Sequence, residues 1–161
     1  MANRQKITTF LWFNGNAEDA ARFYTGAFSN SRVTNVARWG EGGPAPAGSV
    51  MTVNFELDGQ QFIALNGGPE FPFTPAISLL ISCESQEEVD RMWARLTADG
   101  GRPGRCGWLT DRFGVSWQVV PKALGELMNG PDPHASARVA RALMAMDKLD
   151  LDELRRAHAA A

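Results

Sequence analysis

The sequence predicts an α+β fold: two successive β-α-β-β-β modules forming curled mixed sheets, followed by a C-terminal helical extension. Three observations predict it. A strand-like run, a polar break and an amphipathic helix occur in the same order twice, at 6–27 and at 75–98. Residues 50–57 alternate strictly and lead into Asp58-Gly59, a strong two-residue hairpin signal. After Pro121 the pattern changes to Ala-, Leu- and Arg-rich helical runs.

The elements follow in order. KITTFLWF (6–13) is β-branched and aromatic and reads as a strand. Asn14-Gly15-Asn16 breaks it, and Asn16 is a candidate N-cap for a helix over 17–27 with Ala20, Phe23, Tyr24 and Ala27 on one face. A strand over 31–39 and a Gly/Pro loop over 40–48 precede the alternating strand. There Met51, Val53, Phe55 and Leu57 point one way, and Thr52, Asn54 and Glu56 the other. A return strand over 60–65 ends at Asn66-Gly67-Gly68-Pro69. The second module opens with an apolar strand over 75–83. Helix 85–98 follows, with Ser85 and Glu88 spaced as a capping box and Val89, Met92, Trp93 and Leu96 as its buried stripe. Short strands near 105–110 and 115–120 flank a turn at 112–114. A short helix over 122–129 and helices over 134–146 and 149–160 complete the chain. Val139, Leu143 and Met146 form one apolar stripe, and Leu149, Leu151 and Leu154 another. The expected organisation is a single domain, 1–161, built of modules 6–68 and 74–121 and a tail, 122–161.

Composition narrows the function. With 16 Lys+Arg against 18 Asp+Glu there is no basic field to hold nucleic acid or an anionic membrane. No run approaches the roughly 18 apolar residues of a membrane span, and no secretory signal pattern opens the sequence. Two cysteines, Cys83 and Cys106, make no disulfide framework, so a cytoplasmic protein with free thiols is expected. The two histidines, His134 and His158, both lie in the tail as expected surface groups. A metal centre built from clustered His and Cys is therefore not expected.

Three segments carry a family resemblance: FNGNAEDAARFY (13–24), LNGGPEF (65–71) and CGWLTDRFGVSWQVVP (106–121). With the paired module order, residues 6–121 resemble PhnB-like proteins of the vicinal oxygen chelate superfamily. This is the glyoxalase, bleomycin-resistance and extradiol-dioxygenase fold, and such proteins are often labelled 3-demethylubiquinone-9 3-methyltransferase-like. The resemblance implies sheets that cup a cavity. In metal-using relatives, ligands come from the first and last strands of each module. Carried over, those positions fall at Thr8, near Asn66, at Ala76 or Ile77, and at Gln118. None is His, Asp or Glu, and neutral amides and hydroxyls are poor donors for a divalent ion. No metal and no cofactor are expected. Methyl transfer finds no support either, because no glycine-rich dinucleotide-type loop follows a strand.

Strand parity together with those positions assigns the cavity lining to Thr8, Phe10, Trp12, Asn54, Glu56, Asn66, Ser78, Trp108 and Gln118. Ser116 shares a face with Gln118. Ile77, Leu79, Ile81, Val115, Trp117 and Val119 are expected to pack under helices. Thr8, Ser78 and Ser116 either face a ligand or satisfy one another and the backbone. Glu56 is either a general base buried beside Asn54 or a solvated strand end. Trp93 and Trp117 read as core, Trp12 and Trp108 as pocket walls. Asp111 reads first as an Asx-type turn cap and second as a catalytic carboxylate. Cys106, near Arg102 and Arg105, is either an activated thiol or a buried structural one.

The expected function is metal-free binding of an aromatic or amphipathic small molecule in a β-cup, completed in a homodimer. The alternative is a divalent-metal-dependent isomerase, lyase or dioxygenase, with a methyltransferase-like protein weaker still. Whether the chain is catalytic stays open. A dimerisation module using the tail is a third reading.

Overall fold

The computed structural model describes residues 5–160, and the chain divides into two units, Met1–Phe73 and Thr74–Ala161. The first unit runs β1 (Thr9–Phe13), α1 (Ala17–Thr25), β2 (Arg32–Arg38), β3 (Val50–Leu57) and β4 (Gln60–Asn66). The strands form a sheet in the order β1-β4-β3-β2, with β1 parallel to β4 and the other pairs antiparallel. Asp58 and Gly59 both have positive φ (47° and 77°), as a tight two-residue hairpin turn requires.

Alternation sorts this sheet into two faces. Leu11, Phe13, Val53, Phe55, Leu57, Phe62 and Ala64 are buried, together with Ala17, Ala20, Ala21, Phe23 and Tyr24 of α1. Tyr24, Phe55 and Phe62 stack in series, with centroids 6.2 and 5.4 Å apart. The small alanines let the helix approach the sheet, and the aromatic rings fill the space beside them.

β1 begins at Thr9, not at residue 6, and a side chain explains why. The Gln5 carboxamide accepts from Gln61 N–H (2.8 Å) and donates to Gln61 O (3.1 Å). It thereby takes the place a further strand residue would fill on β4. Ile7 is left 85% exposed.

The second unit runs β5 (Leu79–Cys83), α2 (Gln86–Thr97), a 3-10 turn (Ala98–Gly100), β6 (Arg102–Pro103), β7 (Trp108–Thr110) and β8 (Ser116–Pro121). Its sheet order is β5-β8-β7-β6, again with the first strand parallel to the last. The Ser85 side chain accepts from Glu88 N–H (3.2 Å), and Glu88 Oε2 accepts from Glu84 N–H (2.8 Å), closing the start of α2. Val89, Met92 and Leu96 are buried with Cys83, Leu109, Trp117 and Val119, while Trp93 is only half-buried.

Two expectations fail here. β5 starts at Leu79, not at 75, because Leu79 pairs with Trp117 and β8 begins one residue earlier, at Ser116. Residues before Ser78 therefore run past the end of their partner strand. Ile77 lies in that overhang and is 77% exposed, not under a helix. β6 is an additional two-residue edge strand, and its Pro103 has no N–H to extend the ladder.

The tail forms α3 (Ala123–Met128), α4 (Pro133–Ala145) and α5 (Leu151–Ala159). Asp132 and Asp150 cap α4 and α5 by accepting from His134 N–H and Glu153 N–H. Arg138 donates to Ala157 O and His158 O, satisfying carbonyls at the end of α5. Val139, Met146, Leu149 and Leu154 form a buried cluster with Val120, Leu124 and Leu127 packed on it. The link 146–151 is tied to the body of the unit. Cys106 N–H and Gly107 N–H donate to Met146 O and Asp147 O, both at 2.8 Å. The Gln86 carboxamide holds Leu149 O (3.0 Å) and Leu151 N–H (2.8 Å), and Lys148 pairs with Asp90.

The thiols differ sharply. Cys83 is fully buried, and burial pushes its thiol up to about 12, whereas Cys106 is half-buried. A disulfide-exchange reagent at pH 8 is expected to titrate Cys106 alone in the native protein and both thiols after unfolding. Because the unfolded Cys83 ionises first, its contribution to stability holds below the ordinary value of 9.0 and is lost as pH rises through about 12. A native protein in which both thiols react equally fast would refute the sealed position of Cys83.

Candidate functional site

The face of the first sheet opposite α1 is where the candidate residues collect. Register carries rows of neighbours across it. Phe10 lies beside Ile63, Ile63 beside Asn54, and Asn54 beside Asn35. The next row runs Trp12, Leu65, Thr52 and Ala37. Phe10 is 55% exposed, and Trp12, Ile63, Leu65 and Asn54 are half-buried. Thr8 precedes β1 and is half-buried. Ile63, Leu65 and Asn35 were missing from the sequence reading. In the first sheet parity reaches β1 and β3, and extending the same alternation to 60–65 and 31–39 would bring in these residues of β4 and β2.

Both ends of this face are closed by interactions within the protein. At one end Glu56 pairs with Arg32 (3.1 Å) across to β2 and accepts from Gln61 of β4. That is a cross-strand ion pair with a hydrogen bond, and it leaves Glu56 no role as a free base. At the other end the Trp12 indole donates to Gly68 O (2.9 Å) and meets Phe71 edge-on at 5.0 Å. Its ring lies so close over Gly67 that a Cβ there would sit 2.2 Å from Cε2. The LNGGPEF motif thus exists in part to seat this tryptophan.

Asn66 does not join the face. It shares parity with Phe62 and Ala64 and turns toward the helix. Its Oδ1 accepts from Ala17 N–H (2.9 Å) and its Nδ2 donates to Val50 O (3.2 Å). Asn16, the expected N-cap of α1, makes no side-chain cap; Asn66 does it from the end of β4. Asn66→Ala is expected to cost about 1–2 kcal/mol, since it uncaps α1 and frees a carbonyl. Denaturant unfolding measures this, and an unchanged midpoint would remove the capping role. Beside it lies a cavity of about 400 Å³ lined by Glu18, Asp19, Trp39, Pro46, Val50 and Asn66. The Arg22 guanidinium, hydrogen-bonded to Glu18, holds that carboxyl below its ordinary range, with Arg38 adding to the effect.

In the second unit the corresponding face carries Leu80, Gln118 and Trp108 in one row. Gln118 Nε2 donates to Ser78 Oγ (2.9 Å). Leu80 is 59% exposed and Trp108 half-buried. Ser116, on the same parity, is buried.

The longest motif has a structural task. Asp111 is 3% exposed and accepts three bonds: Phe113 N–H (2.8 Å) and Val115 N–H (3.1 Å) on Oδ1, and the Trp117 indole N–H (2.8 Å) on Oδ2. This is the Asx-type cap of the turn, extended to the core tryptophan. Gly107 has φ of 82°, and a Cβ there would sit 2.9 Å from Val119 O and 3.1 Å from Leu149. The glycine admits both the left-handed backbone and the close approach of the tail.

The positions to which the sequence resemblance carries chelating ligands do not fit a divalent ion. Asn66 caps a helix, Gln118 is bonded to Ser78, and Ala76 and Ile77 have no donor side chains. Among the described residues no three His, Cys, Asp or Glu side chains come together as a ligand set. Nor is any described helix long and apolar enough to cross a membrane.

Two sheets, each with its first strand parallel to its last and a helix after that first strand, define a class. It is the glyoxalase/bleomycin-resistance fold. The fosfomycin resistance protein FosX from Listeria monocytogenes, solved with Mn(II) and sulfate, shares this fold. It is 14% identical with a TM-score of 0.52, over 76% of this chain and 94% of that one. The family model described as 3-demethylubiquinone-9 3-methyltransferase matches residues 5–120, and the chain belongs to that PhnB-like family. The PhnB protein from Bacillus cereus is 40% identical with a TM-score of 0.67, covering 73% of this chain and 99% of that one. A Pseudomonas aeruginosa protein, PA1353, shares the fold at 23% identity and a TM-score of 0.61, over 73% of this chain and 98% of that one. No curated protein matches the chain. The family match ends at residue 120, so α3, α4 and α5 lie outside it.

Proposed function

We propose that this chain binds an aromatic or amphipathic small molecule on the open face of its sheets and needs no metal to do so. One observation carries the reading: the first sheet presents Phe10, 55% exposed, with Trp12, Ile63 and Leu65 beside the polar Asn54. Contiguous apolar surface with a few polar groups is the usual composition of a ligand site. Leu80 and Trp108 give the second sheet a similar character. A second copy of the chain would complete the cup, and free thiols suit the reducing cytoplasm. The family's label names methyl transfer, but binding without chemistry asks nothing that these residues lack.

Titration with flat aromatic compounds, followed by tryptophan emission and by NMR of the Trp12 indole, tests the proposal. Binding that weakens in Phe10→Ser supports it. A broad panel that leaves every open-face resonance unmoved at millimolar concentration would end it.

A further inference from the structure

The chemistry of the ligand can be narrowed from the groups at the centre of the first sheet's open face. Asn54 and Asn35 are directly opposite one another on β3 and β2. Neither side chain has a hydrogen-bond partner among the described residues. Asn54 is half-buried, with Ile63 on its other side and Phe10 beyond. Its carboxamide is not among the buried unsatisfied groups, so its donor and acceptor face water and are free to exchange that water for a ligand. Thr52 and the exposed Asn35 add further uncharged polar groups to this face, whereas the ionisable and indole groups are already engaged. Glu56 is neutralised by Arg32 and bonded by Gln61, and the Trp12 indole is bonded to Gly68. The centre of the face therefore offers uncharged donor–acceptor edges, of which that of the half-buried Asn54 lies against Ile63, and no uncompensated charge.

Resting on the binding function proposed above, we infer that the ligand is an uncharged planar molecule carrying an adjacent donor and acceptor, such as a primary amide or a lactam. The Asn54 carboxamide pairs edge to edge with such a group, while the ring lies over Phe10 and Ile63. An anion or cation of the same shape would lose hydration with no counter-charge to replace it. A plain hydrocarbon would leave the carboxamide unpaired.

The test uses the full chain with benzamide, benzoate, benzylammonium and toluene, read by NMR of the Asn54 side-chain amide and by affinity. Benzamide should shift the Asn54 amide and bind about tenfold tighter than either ion. Asn54→Leu should abolish the preference for benzamide over toluene. Asn54→Asp should invert the charge preference, making benzylammonium the tighter ligand. Benzamide and toluene binding equally well in a Phe10-dependent manner would overturn the amide assignment while leaving the binding face standing. If no probe perturbs Phe10 or Asn54, both fail together.

Discussion

Asp111→Ala is expected to lower stability by about 3–5 kcal/mol, among the largest effects of any single change outside the apolar core. The carboxylate is buried and accepts from two backbone N–H groups and one indole N–H. Removing it strands Val115 N–H and Trp117 Nε1–H in places water does not reach, at roughly 1–3 kcal/mol each. Asp111→Asn keeps the shape but turns an NH₂ toward one of those donors, so it should fall between wild type and Ala. Urea unfolding gives the energies, and near-ultraviolet circular dichroism reports the Trp117 environment. A loss under about 1 kcal/mol would mean that the turn is held by its backbone bonds, Asp111 N–H to Val115 O and Gly114 N–H to Asp111 O.

Removing the tail after Met128 is the second large effect. Residues 106–107 would lose the acceptors at Met146 and Asp147, Gln86 would lose its bonds to Leu149 and Leu151 and keep only Asp90, and Val120, Leu124 and Leu127 would be uncovered. The truncated chain should melt about 10–20 °C lower, or fail to remain soluble. Leu149→Ala, at a fully buried position, isolates the core of this effect at about 2–5 kcal/mol. A truncation that melts within a few degrees of the full chain would make the tail an ornament, not part of the second unit.

What the sequence revealed and what it hid separate along one physical line. The alternation of 50–57 and the Asp58-Gly59 turn were legible because a strand's faces and a tight turn are decided by neighbours in sequence. The same holds for Ser85 with Glu88, and for Asp111 with a turn only a few residues away. The helix cap made by Asn66 was hidden because its partner, Ala17 N–H, lies 49 residues earlier. Nothing about an asparagine before Gly-Gly tells which face of the sheet it turns to. Gln5 ending the β1 ladder and Trp12 seated on Gly67 are equally non-local. Parity placed Phe10, Trp12, Asn54 and Glu56 on one face, and the register has them there. It could not show that Glu56 pairs with Arg32 and that Asn54 has no side-chain partner among the described residues, because partners are set by cross-strand register.

The division of the first sheet into two faces also bears on how such a protein can change. Its folding determinants, among them the stacked Tyr24, Phe55 and Phe62 and the Asn66 cap, sit on the helix side. Positions 10, 35, 52, 54 and 63 of the other face hold none of those bonds. If that face binds a small molecule as proposed, a lineage could rewrite ligand preference there by single substitutions with little loss of foldability. Recognition would then be separated from architecture, and one scaffold could drift among small molecules while its core sequence stays put.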